Sequence, residues 1–252
     1  MRDPESKPVK QRLDVLLFEK GLFDSREKAH AEILAGNVLI DETLVTKPGN
    51  KFFPDAAVRI KEKFPYVGRG ALKLLRAFEY FALDIHGLPA IDVGASTGGF
   101  TEVLLEKGAS VVYAVDVGTN QLAWKLRSDP RVRCMEKTHA ADLPSIVFDP
   151  PPVFAVVDVS FISLTRIFEP LVKVLTGDFR IVTLIKPQFE LKREQISKGG
   201  IARPEFRDKA VENVLEFARR IGLDHSDVIE SPISGARSRN VEYLAMFRKS
   251  RS

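Results

Sequence analysis

Ala90-Ile91-Asp92-Val93-Gly94-Ala95-Ser96-Thr97-Gly98-Gly99-Phe100-Thr101 is the stretch that decides the fold. Its first four residues have the composition of a buried strand, and the glycine-rich turn after them runs straight into an amphipathic segment, Thr101 to Lys107. Such a turn brings backbone close to a ligand, because glycine tolerates conformations that side chains forbid. A second strand, Val111 to Val115, ends in Asp116, at the spacing where a carboxylate accepts both hydrogens of a ribose diol. Either feature alone reads as ordinary structure. The pair predicts a nucleotide-binding α/β unit.

Outward from this unit the alternation continues. Val132 to Met135, Phe154 to Val157 and Arg180 to Ile185 read as strands, the last two ending in Asp158 and in Lys186-Pro187. Helices are predicted over Leu164 to Leu175 and Pro204 to Ile221, and Val228 to Glu230 with Val241 to Phe247 as a closing antiparallel pair. Upstream, Gly70 to Leu83 has Leu72, Leu75, Phe78 and Ala82 at helical spacing, which leaves Lys73 one residue off the apolar stripe. Asp92, Asp116, Asp158 and Lys186 all fall at carboxyl ends of strands, where open α/β sheets bind ligands.

The composition limits what surrounds this core. With 252 residues and 44% hydrophobic content the chain has room for one large and one small domain. A formal charge of +4 suits an anionic partner only if the excess is localised, since 29% of residues are charged with both signs. One cysteine, Cys134, excludes an internal disulfide framework and a multi-cysteine metal site, so no metal and a cytoplasmic location are expected. Met1 to Gln11 is polar, and no run approaches the roughly 18 apolar residues of a membrane span, so no membrane partner is expected. The oligomeric state stays open, with a monomer favoured.

Before the α/β unit lies a small module. Arg12 to Glu19 carries Leu13, Leu16 and Leu17 at helical spacing and Gly21 ends it; Asp24 or Ser25 caps a second helix, Arg26 to Ala35, with Ala29, Ile33 and Leu34 inward. Val38-Leu39-Ile40 and Val58-Arg59-Ile60 read as strands, with turns at Asp41-Glu42 and Pro48-Gly49-Asn50 between them. The pattern Arg12-Leu13-Asp14, Ser25 to Ala29 and Gly36 to Asp41 resembles the S4-type RNA-binding domain. Arg26 and Lys28 on one helix, with Lys47 and Lys51 in the following loop, are candidates for phosphate contact, as is Arg12; solvated surface charge is the alternative for each. The expected boundaries are residues 1–61 for this module, 62–67 for a charged linker and 68–252 for the α/β domain.

Four separated residues carry the chemistry: Lys73, Asp158, Lys186 and Glu242. A hydroxyl becomes a nucleophile at neutral pH only with alignment and a base. Lysine serves as a base once it has given up its proton, which a second ammonium favours and carboxylates oppose. Lys186 is the candidate base, Lys73 the neighbouring positive charge, and Asp158 and Glu242 the groups that orient the two amines. Two ordinary ion pairs are the structural alternative.

The turn Asp92-x-Gly94 followed by Gly98-Gly99 is similar to that of Rossmann-like S-adenosylmethionine methyltransferases, whereas dinucleotide enzymes use G-x-G-x-x-G. Gly68 to Leu74, Asp92 to Thr101, Asp158 to Leu164, Ile185 to Glu190 and Asn240 to Tyr243 together resemble the TlyA/hemolysin A family of FtsJ-like ribosomal RNA methyltransferases over essentially the whole chain. The resemblance implies a class I methyltransferase fold, with a mostly parallel sheet and an antiparallel last strand, behind the α+β S4-type domain. It further implies 2′-O-methylation of cytidine in ribosomal RNA, with large-subunit and in some members also small-subunit RNA as partner. The quartet carries over as Lys73, Asp158, Lys186 and Glu242. S-adenosyl-L-methionine would sit on Asp92, Gly94, Ser96, Thr97, Gly98, Gly99, Phe100, Asp116 and Val117. Arg69 is a further candidate RNA contact, and Ser234 to Asn240, with Arg237 and Arg239, reads either as a flexible basic loop that clamps RNA or as a solvated loop. One departure stands out: Thr138-His139-Ala140 occupies the segment where the family leads one to expect an asparagine, and His139 is either a cofactor contact or structural. Residues 192–203 are a candidate RNA-facing lid.

Other functions fit less of the chain. A haemolytic pore needs spanning helices or a closed amphipathic barrel, and neither pattern is present. A non-catalytic ribosome-assembly factor would need the small module alone, and a pseudouridine synthase with an S4-type domain would need no methyl-donor turn.

Overall fold

The computed structural model describes residues 9–61, 64–235 and 240–249. The chain divides into two compact units, Met1–Pro65 and Tyr66–Ser252.

In the first unit, β1 (Gln11–Arg12) leads into α1 (Leu13–Glu19) and α2 (Arg26–Leu34), followed by β2 (Val38–Ile40), β3 (Thr43–Val45), β4 (Lys51–Phe52) and β5 (Val58–Ile60). Leu13, Leu16, Leu17, Ala29 and Ile33 fill its core against Val38, Ile40 and Val45. Ser25 caps α2 by accepting the Lys28 amide at 3.2 Å. Leu34, expected inward, is exposed, because Ala29 and Ile33 already complete the buried face one residue away. The third strand, β3, did not stand out in the sequence. Asp41 and Glu42 both take positive φ, which makes a two-residue hairpin turn and folds Thr43–Val45 back on β2.

The second unit is a seven-stranded sheet between helices. Its elements are α3 (Ala71–Tyr80), β6 (Pro89–Val93), α4 (Gly99–Glu106), β7 (Val111–Val115), α5 (Trp124–Arg127), β8 (Val132–Met135), β9 (Phe154–Val157), α6 (Thr165–Val172), β10 (Arg180–Ile185), α7 (Pro187–Glu190), α8 (Arg207–Arg220), β11 (Leu223–Glu230) and β12 (Tyr243–Lys249). The strand order is β11-β12-β10-β9-β6-β7-β8, and β12 alone runs antiparallel to its neighbours. Both sheet faces are covered, so side chains alternate between two cores. Ile91, Val93, Tyr113, Val115, Ala155 and Val157 join α6 and α8 on one side. Ala90, Val112, Ala114, Phe154 and Val156 join α3 and α4 on the other.

Two sequence expectations shift by one residue or more. The buried face of α3 is Ala71, Leu74, Ala77 and Phe78, not the Leu72 stripe, so Leu72 turns outward and Lys73 is enclosed. The closing strand β11 begins at Leu223, five residues before the predicted start, with an irregular register between His225 and Val228. No helix among the described residues is long and apolar enough to cross a membrane.

Candidate active site

From β6 the chain proceeds through β7 to β8 on one side of the sheet, and the next strands, β9 and β10, lie on the other side. The carboxyl ends of β6 and β9 therefore flank the switch point where open sheets bind ligands. A cavity of about 500 Å³ opens there, a volume suited to a small-molecule ligand. Val93, Gly94 and Ser96 wall it after β6, Asp116, Val117 and Gln121 after β7, and Asp158 to Ile162 after β9. Thr138, His139, Ala140 and Ala141 close another side, which puts the segment that departs from the expected asparagine in the wall, His139 included.

The glycine turn shapes this wall. Gly94 has φ +91°, and a Cβ there would sit 2.5 Å from the Asp158 carbonyl, so only glycine lets the end of β6 pass so close to that of β9. Gly98 has φ +97° and backs onto Leu122 and Leu126 instead. Gly98, Gly99, Thr97 and Phe100 thus lie outside the lining; Phe100 is core, and Gly99 packs against the Gly68–Ala71 turn. Asp116 accepts the Ser96 amide at 2.8 Å and the Gly118 amide at 2.7 Å. A carboxylate has about four acceptor positions, so capacity remains for a diol.

Asp92 departs from expectation. Side-chain alternation along β6 turns it toward α4, where it is wholly buried, and its Oδ2 accepts the Thr101 hydroxyl at 2.7 Å while Oδ1 has no hydrogen-bond partner. It stands behind the turn, not in the cavity wall. Burial drives its carboxyl up to about 7, against the pull of the Thr101 hydrogen bond, with the negative Asp158 adding to the rise.

The four chemical residues do converge. Glu242, buried just before β12, accepts Lys73 Nζ at 2.6 Å. Lys73 Nζ lies 3.9 Å from Asp158 Oδ2, and Asp158 Oδ1 lies 2.6 Å from Lys186 Nζ. Lys186 also donates to Ser160 Oγ at 3.0 Å. Lys73 and Lys186 are each less than one-tenth exposed. The charges therefore alternate along a line, Glu242, Lys73, Asp158, Lys186, and Asp158 separates the two ammonium groups. Lys73 is thus a carboxylate partner before it is a neighbouring positive charge. The line meets the cavity at Asp158 and Ser160.

Sequence reasoning gave no role to Ser160, Phe161, Gln121 or Arg166, all of which wall the cavity. The available signal was position, since Ser160 and Phe161 directly follow Asp158. Phe161 is 91% exposed with φ +65°, and its ring lies 5.2 Å from that of Phe189. Glu190 holds this loop from behind, accepting the Ser163 hydroxyl at 2.6 Å and the Leu164 amide at 2.9 Å; burial raises its carboxyl above the usual range. The expected lid at 192–203 is a closed hairpin with an Ile196–Ala202 bridge. The buried Asn240 ties it down, accepting the Ala202 amide and donating to the Gly200 carbonyl, both at 2.9 Å.

Among the candidate RNA contacts, Arg12 and Arg26 meet on Asp14, and Lys51 pairs with Arg12 across β1 and β4. Lys28 is bound to Asp24 at 2.7 Å, Lys47 is exposed in the loop before β4, and Arg69 is exposed before α3. Arg237 and Arg239 lie outside the described residues.

A Rossmann-like sheet with an antiparallel seventh strand and a cavity at its switch point defines a class I methyltransferase. The chain belongs to the FtsJ-like methyltransferase family, whose model matches residues 66–249, and an S4 domain matches residues 11–52. It is 42% identical to Hemolysin A of Brachyspira hyodysenteriae, over 94% of this chain and 99% of that one. It is 41% identical to the 16S/23S rRNA (cytidine-2′-O)-methyltransferase TlyA of Mycobacterium tuberculosis, over 94% and 89%. The solved structure of a candidate hemolysin from Streptococcus thermophilus superposes with a TM-score of 0.73 at 44% identity, covering 98% of this chain and 90% of that one.

Proposed function

We propose that this chain transfers a methyl group from S-adenosylmethionine to the 2′-oxygen of a cytidine ribose in ribosomal RNA, acting on ribosomal subunits in the cytoplasm. The observation that carries the reading is the line of alternating charges, with both lysines and Glu242 buried, that meets the switch-point cavity at Asp158 and Ser160.

S-adenosylmethionine, when bound, supplies a methyl carbon made electrophilic by its positively charged sulfur. The cavity fits such a group: Asp116 retains acceptor capacity for a ribose diol, Gly94 and Ser96 bring backbone to the wall, and Val93, Val115, Val117 and Ile167 give apolar surface. Lys186 is the base in this reading: its ammonium first releases a proton to solvent, and the neutral Nζ then takes the proton of the 2′-hydroxyl. Asp158, at 2.6 Å, fixes the direction of that amine. Lys73, fixed by Glu242, faces the same carboxylate and stabilises negative charge growing on the ribose oxygen. The exposed ring of Phe161 at the cavity mouth offers a face for a base displaced from its stack.

Incubating isolated large and small ribosomal subunits with methyl-labelled cofactor, then mapping the label, tests this reading. Label on a cytidine 2′-oxygen is expected, and the labelled subunit identifies the substrate. Binding to subunits without label would instead mark a non-catalytic assembly factor.

A further inference from the structure

In the first unit a single carboxylate gathers cations from two elements. Asp14, the second residue of α1, is 1% exposed. Its Oδ1 accepts Arg12 Nε at 3.0 Å and its Oδ2 accepts Arg12 Nη2 at 2.9 Å, a bidentate grip on the end of β1. Oδ2 also accepts Arg26 Nε at 3.0 Å, from the first turn of α2, and lies 3.8 Å from His30 Nδ1. The Val15 amide donates to Oδ1 at 3.0 Å and anchors the carboxylate to the helix start. Both guanidinium side chains remain about half exposed, at 44% and 50%. Each guanidinium has five N–H donors, so both keep donors that Asp14 does not use. Behind Arg12, a Cβ at Gly49 would lie 3.3 Å from Nη1, so glycine leaves the space the guanidinium occupies.

We propose that Asp14 is the positioning residue of a phosphate-binding fork, holding Arg12 and Arg26 side by side so that both guanidiniums meet one stretch of RNA backbone. The inference rests on the reading of RNA as substrate. Its logic is preorganisation: a long cationic side chain loses rotamer freedom on binding, and Asp14 removes that loss beforehand for two of them. Two cations and one anion leave the fork net positive. The carboxyl of Asp14 is held down at about 2, chiefly by its bond from Arg12, so the arrangement persists at any ordinary pH.

Asp14→Asn raises the net charge of an RNA-binding surface by one, so charge alone dictates tighter binding. The fork predicts binding about tenfold weaker, the scale of freeing two side chains, with a shallower salt dependence. The measurement is titration of the full chain with protein-free large-subunit rRNA at several salt concentrations, with a thermal melt of each variant. In an Arg12→Ala/Arg26→Ala background, Asp14→Asn should cause no further weakening. Should Asp14→Asn fail to fold, Gly49→Val displaces the Arg12 guanidinium with Asp14 intact and should weaken binding in the same direction. Unchanged or tighter binding by folded Asp14→Asn, or equal weakening without the arginines, would overturn the fork. If the parent chain itself does not bind rRNA, the substrate reading falls and not merely the fork.

Discussion

Asp14 in the small module and Asp92 in the methyltransferase domain are both aspartates with almost no exposed surface, yet their carboxyls move in opposite directions, to about 2 and to about 7. Two guanidiniums surround Asp14, and the energy of those charged hydrogen bonds outweighs desolvation. Asp92 has one hydroxyl partner and an unpaired oxygen, so desolvation wins and the carboxyl is pushed up. Burial alone thus says nothing about charge state; the partners decide it. The quartet is a third case, in which buried Glu242 and partly buried Asp158 are balanced by lysines one for one.

The largest effect expected from breaking this balance is in the quartet. Glu242→Ala leaves the Lys73 ammonium buried with only the Asp158 carboxylate, 3.9 Å away and already bound to Lys186, and should destabilise the fold by about 3 kcal/mol. Chemical denaturation would measure this, and a cost below about 1 kcal/mol would mean that the Lys73–Glu242 pair is not sequestered from water. Asp92 comes next. Its folded value lies above the unfolded one near 3.8, so its contribution is full below pH 4 and fades as pH rises toward 7, a span on the order of 2–4 kcal/mol. Asp14 has the opposite sign: its contribution is full above pH 4 and fades as pH falls toward 2. Asp92→Asn keeps an acceptor for Thr101 and should remove the loss between pH 4 and 7, seen as a flatter melting temperature across that range. A profile unchanged from the parent would show that Asp92 titrates normally. The smallest effect belongs to exposed pairs. Lys28→Ala breaks only an i,i+4 bridge to an exposed Asp24 and should leave the melting temperature essentially unchanged in the same melts.

The same contrast explains what was legible in the sequence. Strand ends carrying Asp116, Asp158 and Lys186, and the turn between Asp92 and Thr101, follow from local pattern, and a cavity lined by Asp116 and Asp158 lies at those ends. Asp92 shows the limit: a carboxylate at a strand end reads the same whether pleating turns it to the ligand or to the helix behind. Lys73 and Leu72 show another, since adjacent positions on a helix trade burial when the stripe rotates by one residue. Asp14, between Leu13 and Val15, carries no signal that two arginines from other elements will close on it. The Ser160–Ile162 wall depends on a loop with Phe161 at positive φ and on Glu190 reaching back, contacts that no periodicity encodes.

In the proposed reaction Lys186, at the end of the alternating line, removes the ribose proton. Single-turnover methyl transfer to ribosomal subunits by Lys186→Ala, beside calorimetry of cofactor binding, tests it most directly. Cofactor binding within about twofold of the parent is expected, with a transfer rate lower by about 10²–10⁴-fold, the usual contribution of a general base. Transfer near the parent rate by that variant would contradict it.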